Sequence, residues 1–273
     1  MTYVILIFVA FFLVVLAALL LLRWSDQRDD AKEWTRLAAL QPDSPGHFDE
    51  SLIAGLPEPV QRFFRYAIAP GTPLYPVAEI TMNGDFSLGS KEKPDYQPMS
   101  ARQILAAPQG FVWQLSLPGV SGSDAAHWTR FRLFGLLPVA RFGGTADHTR
   151  AAFGRYIAEA VFWTPAALLP GPGVHWEALA EDRIRVTVTF DGLEQAVELV
   201  LNPDGQPEQI FFMRWSDANP QKEYRLQPFG GYLSDFREVQ GYRIPFHVEA
   251  GNMFGTDDYF AFYRADIESV MFR

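Results

Sequence analysis

The side chains that could carry acid–base or metal chemistry are few in this sequence, and they are widely spaced. Five histidines, His47, His127, His148, His175 and His247, occur in 273 residues, and no HExxH pair is present. His175-Trp-Glu177 and His247-Val-Glu249 each set a histidine and a carboxylate two residues apart. On a strand that spacing puts both side chains on one face, and two such pairs brought together would supply nitrogen and oxygen ligands for a zinc-type cation. The same spacing fits a solvated polar face with Trp176 and Val248 turned to the core, which is the reading adopted, so no metal ligand is assigned. Arg155 and Glu159 stand at i,i+4 on a helical pattern. They are expected to form a buried ion pair that locks the helix to a sheet; the alternative is a Glu159 whose acidity is weakened among apolar neighbours, able to act as a general acid. Asp124, Arg130 and Arg132, around Trp128, are placed to extend that network. Gly119-Val-Ser121-Gly-Ser123 approaches a nucleophile elbow but lacks the closing glycine, and it falls in an expected turn between strands. The nucleotide-binding glycine motifs are missing. No catalytic residue and no cofactor are assigned.

Composition narrows the classes further. There is no cysteine, so disulfides, thiolate metal sites and a cysteine nucleophile are excluded. The net charge is −9 with no basic stripe, which excludes the electrostatic footprint of a nucleic-acid binder. Aromatic residues make up 15% of the chain, including 23 Phe and 7 Trp, a share that favours pleated sheet and leaves ample apolar surface to bury.

The elements that must position these residues are mostly strands. Phe111, Trp113, Leu115 and Leu117 alternate, as do Ile184, Val186, Val188 and Phe190. Val197, Leu199 and Leu201 lead into the turn Asn202-Pro-Asp-Gly205, and Phe211, Met213 and Trp215 alternate on the return strand. Tyr242 to Ala250 alternates again. The closing strand carries Phe260 and Phe262 on one face and Tyr259 and Tyr263 on the other, so both faces need cover. Two helices are expected, near 58–68 with Val60, Phe63, Phe64, Ala67 and Ile68 as its stripe, and near 149–163 with Phe153, Tyr156, Ile157, Ala160 and Val161. About ten or eleven strands joined by short turns imply a large antiparallel sheet that must curl or close. The fold class is mainly β with a few helices (α+β): a large curved antiparallel sheet or open barrel with a packed helix, plus one N-terminal transmembrane helix.

Tyr3 to Leu22 is a run without charge, long enough to span a bilayer core as a helix. It is read as an uncut single-pass anchor, with the lipid bilayer as its partner; a signal peptide cut after Ala17 is the alternative, but a basic n-region is lacking. The division expected is 1–24 anchor, 25–54 juxtamembrane helix and linker, the helix continuing along the membrane surface, and 55–273 β-rich globular domain. Arg23, Arg28, Lys32 and Arg36 follow the run, and the positive-inside rule then places the domain in the cytoplasm.

Several segments in order carry a resemblance: Leu56-Pro-Glu-Pro-Val-Gln-Arg-Phe63, Gly110-Phe-Val-Trp113, Arg155 to Pro170, Val174-His-Trp-Glu177, Gly241-Tyr-Arg-Ile-Pro245 and Tyr259 to Val270. Together, over about residues 55–272, they resemble an uncharacterised bacterial family of membrane-anchored domains of unknown function. At the level of architecture the pattern is similar to the lipoprotein-carrier (LolA-like) open barrels that hold acyl chains. The resemblance implies a bacterial inner-membrane protein, and the carrier analogy, unlike the charge rule, implies a domain outside the cytoplasm.

The leading expectation is a membrane-tethered, non-enzymatic binding domain for a lipid or acyl chain, with Trp113, Trp163, Trp176 and Phe262 bordering the cavity. A scaffold with a filled core is the alternative, and a hydrolase or metal enzyme a third. The full-length chain is expected to remain with membranes after a carbonate wash, and alkaline phosphatase fused after Arg273 is expected to be inactive. Strong phosphatase activity would move the domain to the other side.

Overall fold

Two meanders, in which each strand lies beside the next in sequence, make a single antiparallel sheet. The structure, a computed structural model, describes residues 2–272. The first meander comprises β1 (Ala78–Ser87), β2 (Tyr96–Ala106), β3 (Gly110–Leu117), β4 (Val120–Ala125), β5 (Trp128–Leu133) and β6 (Leu137–Gly143). The second comprises β7 (Val174–Ala178), β8 (Arg183–Phe190), β9 (Leu193–Leu201), β10 (Pro207–Ser216), β11 (Arg225–Val239), β12 (Tyr242–Asn252) and β13 (Phe260–Met271). Pairing of β1 with β13, from Glu79 opposite Met271 to Phe86 opposite Tyr263, joins them into 13 strands with β6 and β7 as the outer edges. The mainly β, antiparallel class expected from alternation holds. The strand count exceeds expectation because short strands such as β6, exposed along most of its length, show little alternation.

The chain leaves the sheet at edge β6 and must re-enter it at the opposite edge, β7. Helix α3 (Ala146–Trp163) makes that passage across the concave face, touching β9, β10 and β12 on one side and β2 and β3 on the other. Its 18 residues span about 27 Å. The Thr145 hydroxyl caps its first turn by accepting from the His148 amide, and Pro165 opens the short 3₁₀ turn that ends it. Gly154 lets the helix lie close to the sheet: a methyl there would sit 2.7 Å from Gln195 Oε1. A shorter helix, α2 (Glu58–Ala67), buries Val60, Phe63, Phe64 and Ala67 and packs on β7, β8 and β12.

Helix α1 (Thr2–Ala38) is continuous through the apolar run, and the stretch within it is long and apolar enough to cross a membrane. The segment after the apolar run continues the same helix. From Asp26 to Leu37 it packs on the convex face of the sheet, where Leu37 joins Val77, Ile104, Ala106, Val112 and Ala125 in a second apolar cluster. That is why Phe111, Val112 and Trp113 are buried in succession: β3 is covered on both faces, so alternation alone underestimates its burial.

Two carboxylates hold the helix there. Asp26, 2% exposed, pairs with Arg130 at 3.1 Å, with Arg132 and with Arg141. Asp30 accepts from Ser123 Oγ at 2.8 Å and from Trp128 Nε1 at 3.2 Å. Burial pushes the Asp30 carboxyl above its ordinary pKa, against the pull of the Ser123 and Gln114 hydrogen bonds.

Replacing Asp26 with alanine would leave Arg132 buried without its partner, a loss of roughly 3 kcal/mol or more. The expected outcome for Asp26→Ala is a lowered unfolding temperature together with faster amide exchange over residues 26–38. Unchanged exchange there would show that apolar packing alone holds α1 to the sheet.

Candidate functional site

Inward-facing residues of the curved sheet and one side of α3 do not meet completely. Between them lies a cavity of about 630 Å³. Trp113, Leu115 and Leu117 of β3 line it, with Phe131 and Leu133 of β5, Ile210 and Phe212 of β10, Phe229 of β11 and Phe86 of β1. Helix α3 contributes Ala158, Phe162 and Trp163. Leu88, Val120 and Val139 lie at loops and strand starts around the wall.

One polar cluster interrupts this surface. Arg155 donates from Nε to Glu159 at 2.8 Å and from Nη1 to Asp124 at 2.7 Å, and its guanidinium carbon lies 4.7 Å from the Trp113 ring centroid. Burial opposes the charge on Arg155, but Glu159 and Asp124 outweigh it and hold the guanidinium pKa above its ordinary value. Both carboxylates have second donors: Asp124 accepts from Thr129 at 2.6 Å and Glu159 from Gln103 at 2.6 Å. Burial, and then Glu159, push the Tyr263 phenol upward; its hydroxyl points to Met82 Sδ at 2.9 Å. Arg214 also reaches the wall, and burial together with the nearby Arg155 lowers it to about 10.

The surface of the cavity is largely apolar. The carboxylates are engaged by an arginine and neutral donors, and among the described residues no histidine, serine or lysine lines the cavity. Ser121 falls within β4 rather than in a turn, opposite Ser116 and Arg132, two residues from Ser123, which bonds α1 on the convex side. The His–Glu pairs are not brought together, since β8 to β11 separate β7 from β12. Glu177 pairs with Arg185 at 3.1 Å, and His247 Nδ1 meets Asp266 at 2.7 Å. Among the described residues no group of three or more potential metal ligands is clustered. Arg130 and Arg132 turn to Asp26 on the convex face, so only Asp124 of that trio joins Arg155.

The four residues read from sequence as cavity-lining separate into two places. Trp113, Trp163 and Phe262 lie on the wall. Trp176 does not: it packs on Phe63 and Phe64 of α2 and donates to the Leu168 carbonyl at 2.8 Å, in the core that closes the other end of the sheet. Phe262 and Tyr263 both line the cavity although they are adjacent, because β13 carries one extra residue where it passes Ala250 to Asn252 of β12. Sequence reasoning missed Arg214. The alternation of Phe211, Met213 and Trp215 draws attention to the wrong face of β10, whose cavity face is Ile210, Phe212 and Arg214.

A family model described as a family of unknown function (DUF6544) matches residues 46–265. No curated protein matches the sequence. Among solved structures, the chain is similar to a LolA superfamily protein from Nitrosomonas europaea, at 10% identity over 79% of this chain and 92% of that one, with a TM-score of 0.45. It is also similar to a candidate outer membrane lipoprotein-sorting protein domain from Vibrio parahaemolyticus, at 9% identity over 82% and 92% of the two chains, TM-score 0.33. A DUF1329 family protein from Desulfovibrio piger is similar at 11% identity over 72% and 86%, TM-score 0.34.

Arg155 holds two carboxylates, each about four-fifths buried. Replacing it with methionine keeps the volume but leaves both anions without their cation, and is expected to destabilise the domain by roughly 3 kcal/mol. Denaturant unfolding of Arg155→Met measures this. A loss under about 1 kcal/mol, the value of an exposed pair, would mean that the cluster is solvated.

Proposed function

We propose that this chain, which belongs to the DUF6544 family of unknown function, is a membrane-tethered binding domain for a hydrophobic ligand with an acyl chain, and that it performs no chemistry on that ligand. The observation that carries this reading is the cavity of about 630 Å³ walled by Trp, Phe and Leu. That volume lies in the range of roughly 300–1,000 Å³ typical of ligand pockets. Protein interiors are otherwise close-packed, with few voids larger than a water molecule, so a scaffold with a filled core would not leave such a space. An acyl chain gains about 0.8 kcal/mol per buried CH₂, enough for a chain of roughly a dozen carbons to bind after its entropic losses.

The geometry around α1 supports loading from the membrane. The turn between β5 and β6 lies against α1 just past its apolar run: a methyl group on Gly135 would sit 3.3 Å from the Arg23 guanidinium. Arg23 directly follows the apolar run 3–22, so the turn sits level with the end of the anchor. Phe134 at its tip is 77% exposed, and Leu137 and Val139 beside it are also exposed. Leu117, Val120, Leu133 and Val139 line the cavity close to this turn. In this arrangement the rim of the cavity faces the bilayer, and a chain passes between the two without crossing water. The excess of Arg and Lys after the run supports a cytoplasmic face of a bacterial inner membrane.

Trp163 is a poor choice for a test, because it is 1% exposed and truncating it would lower stability by roughly 3–5 kcal/mol. Filling the cavity is cleaner. Ala158 on α3 and Ala140 on β6 both line it. The expected results are that the detergent-purified full chain carries a lipid adduct in native mass spectrometry, and that Ala158→Phe and Ala140→Phe each lose at least about tenfold in binding of a fluorescent fatty acid while still folding. Unaltered binding in both folded variants, or no adduct and no probe binding in the wild type, would overturn the reading.

A further inference from the structure

The polar groups of the cavity are not evenly satisfied. Asp124 and Glu159 accept from Arg155, Thr129 and Gln103, so the acceptors are occupied. The donors are not. Arg214, on β10, forms no ion pair among the described residues, and its Nε is sealed from solvent without a hydrogen-bond partner. Its guanidinium carbon rests 4.9 Å from the Phe229 ring centroid. A buried donor left unmet is destabilising, the more so when charged. Arg214 therefore stands in an apolar wall as a cation with no acceptor, and it describes a ligand by what is missing: an anion.

We propose that the ligand bears a carboxylate head, seated on the Arg214 guanidinium, and that the cavity takes a long-chain fatty acid; this rests on the cavity being a lipid site. The planar fork of a guanidinium matches a carboxylate with two parallel hydrogen bonds. Arg214 keeps its charge near neutral pH, since burial and Arg155 lower it only to about 10. The Asp124–Arg155–Glu159 set carries one net negative charge that balances Arg214 at a distance but gives it no hydrogen bond. That balance lets a cation stand in an apolar wall before a ligand arrives. Next to the head, Phe86, Leu115, Phe131 and Phe262 offer only apolar contact, suited to a single chain.

The experiment compares three probes of equal chain length, palmitic acid, hexadecanol and methyl palmitate, on the delipidated full chain in detergent, with adducts counted by native mass spectrometry at pH 7.5. The acid is expected to bind at least about tenfold better than the alcohol or the ester, from the ion pair and the bidentate geometry that the other two lack. Arg214→Met should abolish that preference, the acid falling to the level of the alcohol. Arg214→Lys, which keeps the charge and loses the planar fork, should reduce the preference by a few-fold and serves if the first variant does not fold. Equal binding of acid and alcohol by the wild type, or a preference that survives both variants, overturns the head-group assignment while leaving the lipid cavity standing. Failure of all three probes to bind overturns the cavity reading itself.

Discussion

The strand order makes a demand that one helix must meet. Joining β1 to β13 puts the two ends of the central connection, β6 and β7, on opposite edges of the sheet. The chain between them has to pass over the concave face, and α3 is that passage. Everything in the candidate site follows from it. Ala158, Ala160 and Gly154 let the helix approach, Phe162 and Trp163 fill one end, and Arg155 and Glu159 face the first meander. A helix crossing a strongly curved sheet cannot contact every strand beneath it. The space left over, walled by β1, β3 to β6 and β10 to β13, is the cavity.

Charge is used on both faces of the same strands. On the convex side Asp26 gathers Arg130, Arg132 and Arg141, and Asp30 gathers Ser123 and Trp128. On the concave side Asp124 binds Arg155. Residues 123 and 124 of β4 therefore bond two different helices, α1 outside and α3 inside, because successive side chains on a strand point to opposite faces. This fixes the apolar N-terminal helix and the cavity wall to the same strand. It also explains how so many ionisable groups stay within an apolar core: each carboxylate is satisfied by more than one donor, which offsets the desolvation that a lone buried charge suffers.

Arg214 departs from that pattern. Its charge is balanced nearby but its donors are not met, a combination that a purely structural role does not need. Local violations of the rule that buried polar groups are paired concentrate where proteins act. Here the violation sits in the wall of an apolar cavity, near carboxylates that are themselves paired.

Much of the architecture was legible from residue order. The uncharged run 3–22, the hairpin through Asn202 to Gly205, the apolar stripes of α2 and α3, and the spacing of Arg155 and Glu159 all depend on neighbours a few residues away, where period and propensity act. What tertiary structure decided was which face is inside. Alternation supplies a period of two but not a side, so β10 reads equally well as Phe211–Met213–Trp215 or as Ile210–Phe212–Arg214, and only pairing with β9 and β11 selects the second for the cavity. The same limit applies to Trp113 and Trp176, alike in sequence context, one on the cavity wall and one under α2. The aspartates among the basic residues after the apolar run count for little in an orientation rule, yet Asp26 and Asp30 hold α1 to the sheet, because their partners lie about a hundred residues away in β4 to β6. Long-range pairing carries no local signature, and the cavity exists only once that pairing is complete.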